Sequence, residues 1–355
     1  VGSTTYTFSG VTGFTGAGSG NTAFFAGGTG GYTFSGQASN NTLDLSASNS
    51  GVSVSLPAGT VSGLSGGDDQ FSGITHFVGS GAGGNSFLAG STDNQTFTGP
   101  GNGNTFTAGS GSDSFSSPGV GNTLDFSSVV TSSGSVLRVN LSGSDLPGAA
   151  NDTAAVGTTT YRFSGIQTFA GATTGHTTFD APGTSDGYTF HFHGSGDSLD
   201  LGELPAGAVV SVPAGTVSFG AHQDSFSGMT GFAGSLTGDT SFVAGASGGY
   251  GFTGFGLGNV LDLSAVGAGV SVSVPAGTVS GLGSGGDDSF FGIANFVGSS
   301  SGAMMVVAGS SGLAFHGQGM GNALDFSQVT TSSLTPLCIN VSGVPVSTAS
   351  CGTVA

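Results

Sequence analysis

Large apolar side chains recur along this chain every nine or ten positions, flanked by Ser or Thr and separated by Gly or Asn. Phe14, Phe24, Phe34 and Leu43 are spaced 10, 10 and 9 residues apart, and Phe232, Phe242, Phe252 and Leu261 repeat those intervals. Phe169, Phe179, Phe190 and Leu199 follow nearly the same ladder, as do Phe296, Val306, Phe315 and Leu324. The longest ladder runs Phe77, Phe87, Phe97, Phe106, Phe115, Leu124. Alternation such as Thr96-Phe97-Thr98 predicts a short strand with its central ring inward and its neighbours outward. Gly and Asn between the strands supply left-handed corners at which the chain turns. Stacked coils then pair their backbones with the coils above and below, so the pattern predicts an all-β, parallel β-solenoid whose core is this Phe/Leu/Val ladder.

A longer period lies over the short one. Phe8-Ser-Gly-Val-Thr-Gly-Phe14 returns from Phe71, Phe163, Phe226 and Phe290, at spacings of 63, 92, 63 and 64 residues. A Leu-Asp-Leu/Phe block follows each copy, at Leu43, Leu124, Leu199, Leu261 and Leu324. A third block, Val52-Ser-Val-Ser-Leu-Pro-Ala-Gly-Thr-Val61, reads as a strand and reappears at 270–279 and, shortened, at 209–217. Five repeats of about 64 residues are expected in one continuous solenoid: 1–69, 70–160, 161–224, 225–288 and 289–355. The second carries an extra coil and a loop at 142–160, rich in Gly, Ala, Thr and Asp.

Composition narrows the function classes. Of 355 residues 72 are Gly and 28 Phe, and only 6% are charged. Arg138 and Arg162 are the sole basic residues against 19 acids, a net charge of −17. Phosphate recognition needs clustered Lys and Arg, so nucleic acid is excluded as a partner and anionic membranes are disfavoured. No apolar run is long enough for a membrane span. The sequence starts at Val1 rather than Met, which suggests a processed or partial chain. Cys338 and Cys351, close together near the end, are expected to form a disulfide that pins the last coil, and so to mark an oxidising compartment.

The order of these blocks, with Gly66-Gly-Asp68-Asp69-Gln-Phe71 and the nine-residue steps that follow, resembles the RTX family, the haemolysin-type calcium-binding repeats of secreted bacterial toxins, proteases and adhesins. The resemblance implies a β-roll, export from a bacterial cell, and Ca²⁺ held in the turns by Asp carboxylates and backbone carbonyls. In this chain most of the ligands are replaced. Ala108-Gly-Ser-Gly-Ser-Asp113-Ser-Phe115 keeps most of the family's nonapeptide, and Asp68, Asp69, Asp287 and Asp288 keep part of it. Asn104 and Asn122 stand where an Asp would be expected. Calcium is therefore expected at one or two degenerate turns at most, with Asp113, Asp68/Asp69 and Asp287/Asp288 as the weak candidate ligands.

No catalytic constellation emerges, so the chain is not expected to be an enzyme, and no small-molecule substrate is evident. Asp44, Asp125, Asp200, Asp262 and Asp325 hold one place in every repeat, which suits turn-bonding rather than catalysis. His191 and His193 flank Phe192 on an outward face, where they could take an adventitious metal. Two rows of Thr-x-Thr are too few for an ice- or carbohydrate-binding face. Gly2–Gly10 is in register with Gly157–Gly165, so the first strand is a full repeat strand with an open edge. The expected function is an extracellular structural subunit of a filament, sheath or surface layer, self-associating head to tail. The alternative is a calcium-binding module or stalk of a larger secreted adhesin or toxin.

Overall fold

The computed structural model describes residues 7–131, 135–141, 152–183, 187–331 and 337. Every regular element among them is a strand: 34 short strands and no helix, so no helix here could cross a membrane. The chain divides into two compact units, one of residues 1–204 with 216–231, the other of residues 205–215 with 232–355.

Most strands are three residues long with only the middle side chain buried, as at Thr96–Thr98, Thr105–Thr107 and Ser114–Ser116. Consecutive strands alternate between two mostly parallel sheets. In the first unit Phe97 lies in register with Phe77 on one side and Phe115 on the other. Phe106 sits likewise between Phe87 and Leu124 in the opposite sheet. In the second unit Leu261 is flanked by Phe242 and Phe296. In-register parallel strands place equal rings one coil apart, and the rings stack: Phe87 on Phe106 at 5.1 Å and 6°, Phe97 on Phe115 at 5.4 Å and 11°, Phe232 on Phe252 at 5.8 Å and 12°. Across the core the rings tilt instead, Phe87 to Phe97 at 59° and Phe106 to Phe115 at 55°. Both arrangements avoid the repulsive face-to-face sandwich. Phe24, Phe34, Phe77, Phe87, Phe97, Phe106, Phe115, Phe169, Phe179, Phe232, Phe242, Phe252 and Phe296 are all buried, while Phe14 and Phe315, near the two ends of the described chain, are half-buried.

The sheets are not parallel throughout. The Val52–Val61 block is a hairpin and not one strand: Ser53–Ser55 pairs antiparallel with Thr60–Ser62. Gly59, at φ 65°, closes the turn with its N–H on Leu56 O. Thr60–Ser62 then pairs antiparallel with Asp69–Ser72, which rejoins the parallel stack beside Thr33–Ser35, while Ser53–Ser55 adjoins Ser86–Leu88. The residues expected to loop across 142–160 contain the same device. Thr153–Val156 and Thr159–Ser164 form a hairpin, and Thr153–Val156 also pairs antiparallel with Val136–Asn140. The triplet is bounded by parallel partners Ser114–Ser116 and His176–Asp180. The short apolar run Ala154-Ala155-Val156, followed by Gly157 at φ 58° as the left-handed turn residue, explains why this stretch pairs rather than loops. A hairpin lengthens only one sheet by two strands, and the first unit carries one triplet in each sheet. The first unit also holds an antiparallel hairpin of Thr216–Phe219 with His222–Ser227, which rejoins the parallel stack beside Thr189–His191. The second unit has a triplet built from Val270–Ser273, Thr278–Ser280 and Asp288–Phe291.

Candidate functional site

The chemistry-bearing side chains lie in columns along the coils. The most extensive column stands two residues before each core side chain. There the side-chain oxygen accepts a hydrogen bond from the backbone N–H of the residue holding the same place one coil earlier. Asn104 Oδ1 accepts from Asn85 N at 3.0 Å, Asn122 Oδ1 from Asn104 N at 3.0 Å, and Asn259 Oδ1 from Thr240 N at 3.1 Å. Gln167, Asn41 and Asn85 do the same for Asn122, Thr22 and Val52. The carboxamides also bond one another: Asn85 Nδ2 donates to Asn104 Oδ1 at 2.7 Å, and Asn104 Nδ2 to Asn122 Oδ1 at 3.0 Å. Asn104 and Asn122, expected as left-handed corners that had lost a metal role, are instead buried fasteners between coils; neither has a positive φ.

The candidate calcium ligands belong to this column. Asp69 Oδ1 accepts from Tyr32 N at 2.8 Å, Asp113 Oδ1 from Gln95 N at 2.9 Å, and Asp288 Oδ1 from Tyr250 N at 2.9 Å. All three carboxyls are buried, and the second oxygen of each has no hydrogen-bond partner. Burial raises all three pKa values, to about 6 for Asp113 and Asp288, against the opposing effect of the backbone N–H. Asp93 near Asp113 and Asp287 near Asp288 push the same way by like-charge repulsion. Asp68 and Asp287 are exposed. Ca²⁺ takes six to eight oxygens, usually from several carboxylates. Among the described residues no three acidic, His or Cys side chains come together as a metal site. The donor set present therefore does not fit the Ca²⁺ that the RTX resemblance implies.

The second Asp column bonds within its own turn. Asp44, Asp125, Asp200, Asp262 and Asp325 each accept from the backbone N–H two residues on, at 2.7–2.9 Å. Five identical turn caps explain why the position recurs. Arg138 grips the buried Asp180 with two nitrogens, at 2.8 and 2.9 Å, and reaches Asp200 at 3.3 Å. One guanidinium thus holds two carboxylates that register places side by side on neighbouring coils. His191 and His193 are both exposed on either side of the buried Phe192, and His191 Nδ1 lies 2.9 Å from Ser227 Oγ. Cys338 and Cys351 fall outside the described residues.

One end of the first unit presents a different surface. Gly13–Thr15 has Thr33–Ser35 as its only strand partner among the described residues. Beside it a groove of about 470 Å³ is lined by Phe8, Val11, Phe14, Phe24, Phe25 and Phe34. Phe8 and Phe25 are 63% and 79% exposed. No sequence pattern singles out these rings from those of the core. A scan against protein-family models matched none, and a search of curated proteins found no relative.

Proposed function

We propose that the protein is an extracellular structural subunit that self-associates head to tail through the ends of its coil stack. The observation that carries this reading is the apolar groove beside Gly13–Thr15, where Phe8 and Phe25 are exposed and the strand has one strand partner among the described residues. A strand edge of unpaired N–H and C=O groups beside exposed Phe rings is a template for another chain. The edge carries none of the usual protections, such as Lys, Pro or an inward charge. A heterologous contact of this kind, repeated by identical copies, generates an open filament. The side-chain columns support the same reading, because their polar groups are spent on joining coil to coil. Export to the outside of a bacterial cell follows from the RTX resemblance and remains part of the proposal. Negative-stain electron microscopy of the purified full chain across rising concentration tests it. Filaments that lengthen with concentration are expected; dispersed particles of single-chain size at every concentration would overturn the reading.

A further inference from the structure

Thr75, Gln95 and Asp113 stand two residues before Phe77, Phe97 and Phe115, three rings that parallel pairing holds in register on successive coils. They are therefore consecutive rungs of one column, with backbones about 4.8 Å apart. Each rung ends in a buried oxygen without a hydrogen-bond partner: Thr75 Oγ1, Gln95 Oε1 and Asp113 Oδ2. Gln95 and Asp113 are only 4% and 2% exposed. The other sheet of the same three coils supplies the control. There Asn85, Asn104 and Asn122 bond one another through their carboxamides, and no buried side-chain atom of the three is left over. Asp69 and Asp288 also end in an unpartnered oxygen, but on single rungs. Burying an acceptor without a donor is unfavourable, and three such rungs in succession point to a partner that the chain itself does not supply.

There is room beside this column for one. A groove of about 470 Å³ is lined by Leu56, Pro57, Phe71, Thr75 and Gln95. A second, of about 360 Å³, is lined by Gln95, Ser112, Asp113, Thr160 and Arg162. Gln95 lines both, so the grooves adjoin along the column. The first has an apolar wall, made by the hairpin turn at Leu56 and Pro57 and by the half-buried Phe71 ring. The second is polar. Arg162, in register beside Ser114, is exposed and has no ion-pair partner among the described residues.

We infer that these adjoining grooves bind a neutral glycan, laid along the coil axis across two or three rungs. Gln95 Oε1 and the Asp113 carboxylate only accept, so the occupant must donate hydrogen bonds at more than one point along its length. Arg162 only donates and the Thr75 hydroxyl can do either, so the occupant must also accept. Sugar hydroxyls do both, and the C–H face of a pyranose ring suits the apolar wall at Phe71 and Pro57. A metal ion would meet too little charge, because Asp113 is the one acidic side chain lining either groove. An anion would face the acceptor oxygens. The site lies within the first unit and does not involve the contact proposed for assembly.

Isothermal titration calorimetry of the full chain at pH 7.5 with cellohexaose, maltohexaose, xylohexaose and mannohexaose tests the site. At least one of these sugars is expected to bind with a Kd below about 1 mM. Asp113→Asn keeps an oxygen for Gln95 N but replaces the free acceptor with a donor. Gln95→Met keeps the length of the side chain without its oxygen. Each is expected to weaken that sugar by about tenfold or more, while His191→Ala, on an exposed face of another coil, leaves it unchanged. Circular dichroism checks that the variants fold. Should either fail to, Arg162→Gln, whose side chain is exposed, takes its place with a severalfold loss expected. No binding of any of the four sugars would overturn the inference, and so would binding that every folded groove variant retains in full.

Discussion

A carboxamide and a carboxylate of nearly the same shape share one place in these coils, and their energetics differ. At Asn104 the oxygen takes the N–H of Asn85, and the nitrogen donates to Gly99 O, Ser117 Oγ and Asn122 Oδ1. At Asp113 the first oxygen takes the N–H of Gln95, but the second is a buried acceptor without a donor. A proton is the missing donor, so burial pushes the pKa of Asp113 to about 6, and that of Asp288 equally. A folded pKa above the unfolded value of 3.8 means the native state binds the proton more tightly. The contribution is complete below about pH 4 and is lost as pH rises through about 6. Thermal stability is therefore expected to be higher at pH 5 than at pH 7.5. Asp113→Asn should raise stability at pH 7.5 by about 1–3 kcal/mol and flatten the profile. The reciprocal Asn104→Asp, which sets carboxylate oxygen against Gly99 O and Asn122 Oδ1, should lower it by a similar amount or more. Urea titrations of the three proteins at both pH values check this. Loss of stability in Asp113→Asn at pH 7.5 would contradict the account.

At the scale of the element, the strands were legible because each carries its signal locally: one ring, two flanking hydroxyl residues, a turn. The hairpins were not, although their turns were visible as letters. Val52, Val54 and Leu56 alternate on even positions while Val61 falls on an odd one, so the phase changes across Pro57 and Gly59, which mark the reversal. The stretch 153–160 reads as loop because its side chains are small, yet a small Ala154 is what fits opposite Tyr161 in a tight triplet. The Asn column was hidden for another reason. Its partner lies one coil away, and the length of a coil is fixed by pairing register, which no local window contains. The hairpin turn gives a direct check. Gly277 occupies the place of Gly59 with φ 65°, and a Cβ there would stand 2.6 Å from Phe290 O. Gly277→Ala should cost about 1–3 kcal/mol, read as a fall in the urea midpoint. A change under about 0.5 kcal/mol would mean that the turn relaxes freely and does not fix the triplet.

At the scale of the whole molecule, the question that separates the readings is whether folding needs a metal. A net charge of −17 with no Lys favours cation binding in a general way. The carboxylates, however, are dispersed among separate hydrogen-bonded roles. The turn column bonds its own backbone, Asp180 and Asp200 share Arg138, and Asp69, Asp113 and Asp288 each hold a neighbouring coil. What joins the coils is backbone pairing, stacked Phe and the Asn ladder, and these act without an ion. A ligand that binds only the native state at a hundred times its dissociation constant adds about 2.7 kcal/mol. For units of this size that corresponds to several degrees in Tm. Circular dichroism melts of the full chain in millimolar calcium and in excess EGTA are therefore expected to show the same strand signal, with midpoints within about 2 °C. Far-UV signal that develops only with calcium, or a midpoint several degrees higher in its presence, would overturn the metal-independent account. It would instead favour a calcium-responsive module, with Asp113 and Asp288 as the first positions to substitute. If both melts coincide, the coils are held together by backbone pairing and the side chains described above without an ion.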